Sequence, residues 1–241
     1  MSTNHTTIAT ITIGQTPRDD VVPAMRHILP AGIRVVEYGA LDGLSREQID
    51  AYRARPGEVG IVTRLRDDSS VLLSHELILP RMQEQVDAAI AEHDASLLVI
   101  LCGADWSALR SPRLIVNPGQ LFPAIVGALA KGRKLGIIKP DAGQVERERQ
   151  RYAERGIEAI VTSASPYSGP DRLREAREAA ELLRDGGAEL VWMTCVGMDE
   201  AMRAEVARVT GVPVLLAQAL LARNVAELLT AAVPAEALAA D

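Results

Sequence analysis

Short apolar runs alternate with amphipathic stretches along almost the whole chain. Nine runs have the composition of buried strands: Ile8–Ile13, Arg34–Tyr38, Gly60–Leu65, Val71–Leu73, Leu97–Leu101, Leu135–Ile138, Ile157–Thr162, Leu190–Thr194 and Val212–Ala217. Eight stretches have helical periodicity: Pro17–Leu29, Ser45–Arg53, Leu77–Glu92, Pro118–Ala130, Ala142–Arg155, Asp171–Arg184, Asp199–Val209 and Ala219–Ala231. Strands that alternate with helices form βαβ units, so we predict an α/β fold built on parallel sheets.

The two cysteines lie in matching positions of this pattern. A single shift that places Cys102 on Cys195 also places Leu97 on Leu190, and each cysteine ends a strand that follows a long helix. We interpret the match as an internal repeat. The alternative is the general similarity of α/β segments to one another.

The first strand of each half matches at a different spacing. Strand Ile8–Ile13 followed by Pro17 resembles strand Leu135–Ile138 followed by Pro140. An insertion in the first half would explain the difference in spacing. The hairpin predicted within Gly60–Leu73 is its natural candidate.

Charge and composition exclude several classes of function. Lys and Arg number 26 and Asp and Glu number 32, a net charge of −6, so no broad basic surface for nucleic acid is expected. Two cysteines are too few for a disulfide scaffold or a four-thiolate zinc site. No metal-ligand spacing is found among the histidines, which we expect to be structural or at the surface: His5, His27, His75 and His93. The alternating charges of Glu146–Arg151 indicate a solvated helix face.

No cofactor motif and no targeting segment is recognisable. The chain has no Walker loop and no GxGxxG motif, and no apolar stretch approaches the roughly 20 residues that span a membrane. Segment Met1–Thr7 is polar and lacks the pattern of a signal peptide. We expect a cytoplasmic protein with free thiols, with a small molecule as its partner, and without metal, cofactor, nucleic acid or membrane contact.

The position of the cysteines at strand ends points to chemistry. Ligands of parallel α/β sheets bind beyond the carboxyl ends of the strands, where both cysteines enter turns of small residues, Gly103-Ala104 and Val196-Gly197. Backbone N–H groups in such turns can hold a carboxylate and can lower a thiol pKa from about 8.5 toward neutrality. If the two halves face each other, one thiolate can remove a proton from a carbon while the other thiol protonates its opposite face. The alternative is that both cysteines are small buried hydrophobic residues.

Polar residues after the first strand are further candidates for substrate binding. They are Gln15, Thr16 and Arg18, and Arg18 has the geometry to bind a carboxylate through two hydrogen bonds. The alternative is a turn at a helix start, with Thr16 as the cap before Pro17.

Three other regions contribute weaker candidates. Arg64 and Arg66 share one face of the predicted hairpin, so both reach the cleft or both lie in solvent, with Asp67 as a surface partner of Arg66. Asp105 follows the first cysteine turn and is a candidate to tune that thiol or to contact ligand. Tyr167 lies in a polar loop that we expect at the cleft.

Five segments spread over nearly the whole chain resemble one known family. They are Thr12–Asp19, Tyr38–Asp42, Thr63–Asp67, Leu101–Cys102 and Ser165–Tyr167. Together they resemble the AroM protein family, which looks like a branch of the aspartate/glutamate racemase superfamily. That superfamily includes hydantoin racemases, maleate isomerases and arylmalonate decarboxylases. The segment Cys195–Met198 is similar to the Cys-Ala-Gly-Met sequence of hydantoin racemases.

The resemblance implies two pseudosymmetric Rossmann-like lobes with a cleft between them, each lobe a parallel sheet flanked by helices. It implies that residues 1–116 and 216–241 form lobe 1 and that residues 117–215 form lobe 2. It also implies that Cys102 and Cys195, one from each lobe, are the catalytic acid and base.

The chain departs from the amino-acid racemases of this superfamily. Those enzymes have polar pairs after both cysteines, and they have an early Asp-Ser pair where this chain has Gln15-Thr16. A free amino acid is therefore not the expected substrate.

Three hypotheses follow from the sequence. The first is a cofactor-independent racemase, epimerase or isomerase of a small carboxylate- or carbonyl-bearing molecule, with N–H groups near Gly103, Ala104, Val196 and Gly197 holding the substrate. The second is a maleate isomerase-like or decarboxylase-like enzyme that uses one cysteine. The third is a non-catalytic protein that binds or senses a small molecule. A homodimer is compatible with all three.

Overall fold

The computed structural model describes residues 6–230, so the predicted surface histidine His5 and the final residue of the helix predicted at Ala219–Ala231 lie outside it. The strands are β1 (Thr7–Thr12), β2 (Arg34–Gly39), β3 (Ile61–Arg64), β4 (Ser70–Leu73), β5 (Leu97–Ile100), β6 (Leu114–Val116), β7 (Leu135–Lys139), β8 (Ala159–Ser163), β9 (Leu190–Met193) and β10 (Val214–Leu216). The helices are α1 (Val22–Arg26), α2 (Arg46–Asp50), α3 (His75–His93), α4 (Pro118–Leu129), α5 (Val145–Ala153), α6 (Arg172–Asp185), α7 (Glu200–Thr210) and α8 (Ala217–Thr230). None of the helices within residues 6–230 has the length and apolar character needed to cross a membrane.

Two four-stranded parallel sheets organise the molecule. The first has the order β2-β1-β5-β6 and the second has the order β8-β7-β9-β10. When only the four strands of each sheet are numbered, in the order in which they occur along the chain, the two sheets have the same strand order. This confirms the predicted α/β class with two sheets and supports the internal repeat.

The strand register defines which residues are equivalent in the two halves. Ile8 pairs with Leu97 in the first sheet, and Leu135 pairs with Leu190 in the second, so Leu97 and Leu190 are equivalent as predicted. Since Cys102 and Cys195 follow these strands at the same distance, they also occupy equivalent positions.

The predicted match between Pro17 and Pro140 is wrong. Pro140 directly follows β7, as Ile13 directly follows β1, whereas Pro17 lies deeper in the loop after β1. The hairpin of β3 and β4 lies between β2 and β5, and no hairpin lies between the equivalent strands β8 and β9. The hairpin is thus an addition to the first half, as the sequence indicated.

One hydrophobic cluster lies between the two sheets and draws on both. It joins Ile8 and Val99 of the first sheet to Leu135 and Trp192 of the second, together with side chains from α1, α4 and α8. Helices α2 and α3 cover the other face of the first sheet, and α6 and α7 cover the other face of the second. Because both faces are covered, strands such as Leu97–Ile100 are buried at every position.

The ends of several elements differ from the prediction. The helix expected to begin at Pro17 begins at Val22, because side chains hold the preceding residues in a loop. Strand β6 is absent from the prediction because it has three residues and Leu114 is 58% exposed, so it lacks a buried apolar pattern. Helix α8 packs on α1 in the first half. The boundaries at residues 116 and 216 remain a prediction.

Candidate active site

A cavity of about 450 Å³ opens where the carboxyl ends of the two sheets meet. Cys102, shortly beyond β5, lines it from the first sheet, and Cys195, shortly beyond β9, lines it from the second. Because β5 and β9 hold equivalent places in their sheets, the two thiols enter the cavity from equivalent strand ends. The volume suits a small-molecule ligand.

Most of the residues predicted for the site line this cavity: Cys102, Cys195, Arg18, Gly103, Ala104, Asp105, Tyr167 and Val196. The others lie outside its lining: Gln15, Thr16, Arg64 and Gly197.

The two cysteine-bearing turns lie close together. A Cβ atom on Gly103 would be 3.2 Å from the carbonyl oxygen of Thr194, the residue before Cys195. A side chain at position 103 would therefore press against the opposite turn. Cys102 is buried, with 9% of its surface exposed, and Cys195 is more accessible.

Arg18 places a buried positive charge at the cavity wall. Its Nε and Nη2 atoms donate to the two carboxylate oxygens of Asp20, each at 2.8 Å, and Nη1 donates to Thr12 Oγ1 at 2.6 Å. We expected Arg18 to bind the carboxylate of a ligand through two hydrogen bonds. In the structure it makes this pair of hydrogen bonds with Asp20 instead. Burial opposes the charged form, but the neighbours of Arg18, among them the Asp20 carboxylate, outweigh it and raise its pKa, so the guanidinium stays charged.

Tyr167 lies between Arg18 and Cys195. Arg18 Nη2 donates to the Tyr167 hydroxyl at 3.4 Å, and that hydroxyl lies 4.0 Å from the Cys195 sulfur. The N–H of Gly197 donates to the same sulfur at 3.4 Å. Burial raises the pKa of Tyr167 well above its usual range, so the phenol stays protonated and can donate to a thiolate.

Burial raises the pKa of both thiols, contrary to the predicted shift toward neutrality. The pKa of Cys102 rises to about 11, because a neighbouring backbone N–H and the Trp106 indole offset only part of the cost of burying a thiolate. Burial also raises the pKa of Cys195, against the opposing N–H of Gly197 and charge of Arg18. The turns supply donors as expected, but loss of hydration outweighs them.

Trp106 lies beside Cys102 and packs against His75. The Trp106 ring is buried, and its centroid lies 4.4 Å from that of His75. His75 Nε2 lies 2.8 Å from the carbonyl oxygen of Asp105, and this histidine lines the cavity, which the prediction of a structural or surface role did not include. The Asp105 carboxylate accepts from Asn117 Nδ2 at 2.9 Å and is engaged there rather than with the thiol.

Gln15 and Thr16 bind other loops of the first half rather than line the cavity. Gln15 Oε1 accepts from the backbone N–H of Arg66 at 2.9 Å, and Thr16 Oγ1 donates to Asp42 Oδ2 at 2.6 Å. Arg66 Nη2 donates to Asp42 Oδ1 at 3.0 Å, in place of the expected pair with Asp67. Thr16 caps no helix, because α1 begins several residues later.

Arg64 lies at the end of β3, beside the cavity rather than in its lining. It pairs with Asp68, and its Nη1 atom lies 3.8 Å from Oδ1 of Asp20, the carboxylate that also holds Arg18. This contact links the hairpin to the Arg18–Asp20 pair.

Several polar residues that line the cavity were not predicted from the sequence: Thr63, His75, Lys139, Arg147, Glu148 and Arg151. The interpretation of Glu146–Arg151 as a solvated helix face is wrong for Glu148, which is 8% exposed; Arg147 is exposed as predicted, and it lines the cavity together with Arg151 one turn later on α5. Lys139 could have been predicted from the sequence, because it ends a strand at the ligand-binding edge of a parallel sheet.

Two backbone donors of the cysteine turns are unpaired. Among the described residues, the N–H groups of Gly103 and Val196 donate no hydrogen bond, and both residues line the cavity. Val196 is buried, where an unpaired N–H is rare, whereas Gly103 is exposed; both donors suit a carboxylate or an oxyanion. Within residues 6–230, no three His, Cys, Asp or Glu side chains are grouped as metal ligands.

The comparisons with known proteins agree with this architecture. The family model described as AroM protein matches residues 8–229, and no curated protein sequence matches the chain. Aspartate racemase from Picrophilus torridus is similar with a TM-score of 0.55 at 12% identity, with 94% of each chain covered. Allantoin racemase from Pseudomonas fluorescens is similar with a TM-score of 0.56 at 15% identity, covering 94% of this chain and 91% of its own. Arylmalonate decarboxylase is similar with a TM-score of 0.52 at 15% identity, covering 91% and 92%. At these identities the likeness shows a shared fold.

Proposed function

Since the chain belongs to the AroM protein family and two thiols from equivalent strand ends line one cavity, we propose that it is a racemase, epimerase or isomerase. Its substrate is a small molecule with a hydrogen on a carbon next to a carboxylate or carbonyl. The shared cavity is the observation that carries this proposal, because proton exchange at both faces of one carbon needs an acid and a base on opposite sides of it. The thiols supply both, so no cofactor is required.

The surroundings of the two thiols divide the roles. Cys195 is the base in the first direction: burial raises its pKa, but the Gly197 N–H and the Arg18 charge oppose that rise and stabilise its thiolate. Cys102 is the acid, since its pKa of about 11 keeps it protonated at neutral pH. The reverse reaction exchanges the roles.

The proton and electron transfers balance without another reactant. The Cys195 thiolate takes the proton from the substrate carbon, and the electrons of the C–H bond move onto the adjacent carboxylate or carbonyl oxygen. The unpaired N–H groups of Gly103 and Val196 are suited to stabilise that oxygen, which is where charge develops. The Cys102 thiol then protonates the opposite face of the carbon, and solvent returns the thiols to their starting states.

Proton exchange in deuterated water tests this proposal. Chiral 2-substituted carboxylic acids and hydantoins are incubated with the wild type, Cys102→Ala and Cys195→Ala, and loss of the α-hydrogen is followed by NMR with chiral chromatography. The wild type should exchange and racemise a substrate. Each single variant should lose racemisation and retain exchange from at most one enantiomer. Racemisation by both variants at the wild-type rate would overturn the two-thiol mechanism.

An enzyme that uses one thiol is the second candidate, and the inequality of the two thiols favours it. A buried Cys102 thiol that stays protonated suits the delivery of a proton to one face only, as after decarboxylation. In that case Cys102→Ala loses turnover while Cys195→Ala keeps it. Tight binding without exchange or turnover in any variant would favour a binding protein.

A further inference from the structure

The cavity extends from the cysteines to a group of charged side chains on the second half. We call this group the basic cluster; it comprises Lys139 at the end of β7 and Arg147 and Arg151 on α5, together with Glu148. Strand β7 is the neighbour of β9, which leads to Cys195, so the basic cluster adjoins the thiol along one sheet edge.

Positive charge is in excess within the basic cluster. Glu148 is nearly buried, with Lys139 Nζ at 3.5 Å and Arg151 Nη1 at 3.8 Å from its carboxylate oxygens. Arg147 forms no ion pair among the described residues. Three cations therefore share one carboxylate at the wall of a cavity, where an incompletely neutralised charge favours an anionic ligand.

The hairpin of β3 and β4 contributes to the cavity next to the basic cluster. Thr63 of β3 lines the cavity, but its hydroxyl is buried against Gly14 and faces away from a ligand. Gln144 Nε2 donates to the carbonyl oxygen of Gly60 at 3.0 Å, which brings the start of α5 against the same hairpin. The hairpin therefore bounds the cavity beside the start of α5.

We propose that the ligand of this cavity carries two anionic groups. One is a carboxylate next to the reacting carbon at the cysteine turns, and the second is a carboxylate or phosphate held by the basic cluster. Phe122, Tyr152 and Trp192 line the same cavity and suit a carbon body between the two charges. The inference rests on the proposed function only in treating this ligand as a substrate.

Binding measurements that need no turnover test this inference. Glutarate and adipate are compared with valerate and hexanoate, which match them in length, and with 3-phosphonopropionate, by calorimetry at constant ionic strength because salt screens exposed charges. The wild type should bind at least one dianion about tenfold more tightly than the monoanions, the gain expected from charge-assisted hydrogen bonds. Preference between the dicarboxylates and the phosphonocarboxylate identifies the second group.

Substitutions in α5 distinguish specific binding by the basic cluster from general attraction between a cationic protein surface and an anion. Arg147→Gln with Arg151→Gln should weaken dianion binding about tenfold or more and monoanion binding less than about twofold. Glu148→Gln should strengthen dianion binding, since it removes the competing carboxylate. The matched control is Arg149→Gln, because Arg149 lies on the same helix, pairs with Glu146 and is outside the cavity lining.

Three results would overturn the inference. They are equal binding of dianions and monoanions by the wild type, an equal loss of binding in Arg149→Gln, and no binding of any probe at millimolar concentration. The measurement records binding without turnover, so it does not depend on proton transfer by the thiols. A dianion preference without proton exchange would therefore leave this inference intact and remove the proposed function.

Discussion

The glycine at position 197 gives Tyr167 its place in the cavity. A Cβ atom on Gly197 would lie 2.4 Å from the Tyr167 hydroxyl oxygen and 2.9 Å from Cζ, closer than nonbonded atoms approach. The same tyrosine accepts from Arg18 and reaches the Cys195 sulfur. The absence of a side chain at position 197 is therefore what permits this set of contacts.

Gly197→Ala should displace Tyr167 from Arg18 and Cys195. We expect a loss of about 1–3 kcal/mol in the free energy of unfolding, as for other overpacked sites, and a fall in proton-exchange activity. Urea denaturation of the double-mutant cycle with Tyr167→Ala checks the cause. Gly197→Ala should cost little stability when Tyr167 is already absent, and additive effects in the cycle would contradict the proposed contact.

Arg18→Met should make Cys195 harder to ionise. Without the guanidinium charge the pKa of the Cys195 thiol rises further, so its alkylation by iodoacetamide should move to higher pH when followed by mass spectrometry. Cys102 is the internal comparison, because its pKa is set mainly by burial and by the nearby donors of Ala104 and Trp106, and Arg18 contributes less.

The same variant is expected to lose stability. Removing one partner of a buried ion pair leaves Asp20 with a weakened set of partners and costs about 3–5 kcal/mol. Arg18→Lys keeps the charge and should restore much of the Cys195 alkylation profile. An unchanged profile in a folded Arg18→Met protein would show that Arg18 does not act on this thiol.

Gly119→Ala should displace the backbone of the turn that follows Cys102. A Cβ atom there would lie 2.2 Å from the carbonyl oxygen of Ala104 and 2.4 Å from the Cα atom of Asp105, and backbone atoms cannot rotate away. We expect lower thermal stability and faster alkylation of Cys102. The matched control is Gly127→Ala in the same helix, whose Cβ would meet its nearest neighbour at 4.0 Å. That change should stabilise by up to about 1 kcal/mol, and equal effects of the two variants would refute the explanation.

The free energy of unfolding should depend on pH through Cys102. Burial raises the pKa of this thiol from its ordinary 9.0 to about 11, so the folded state favours the protonated form more than the unfolded state does. The stabilising contribution is complete below pH 9 and is lost as the pH rises toward 11. It amounts to about 3 kcal/mol for a shift of this size. The measurement is urea denaturation of the wild type and Cys102→Ser at pH 8 and pH 11, where the difference between them should shrink.

The sequence predicts the positions of the cysteines better than their chemistry. Strands Leu97–Ile100 and Leu190–Met193 are recognisable because strands covered on both faces are continuously apolar, and their ends place both thiols at the ligand edge. The thiol pKa depends instead on burial in the folded protein, which outweighs nearby groups such as Trp106 that favour the thiolate. Local sequence contains no measure of that burial.

The remaining site residues escaped prediction for a similar physical reason. Arg147 and Arg151 alternate with acidic residues in the sequence as on any exposed helix, and only the packing of α5 against the cavity distinguishes them. Gln15 and Thr16 are polar loop residues whose partners lie on other loops, so their structural role follows from tertiary contacts.

The hydrophobic cluster between the sheets has a consequence for the folding of the two halves. Side chains such as Ile8, Val99 and Leu135 contact neighbours contributed by both sheets, and each full burial contributes about 1.5–3 kcal/mol. A fragment containing one half would expose its share of this cluster to water. The repeated halves, although equivalent in strand order, are therefore no longer independent folding units, and denaturant should unfold them in one cooperative transition.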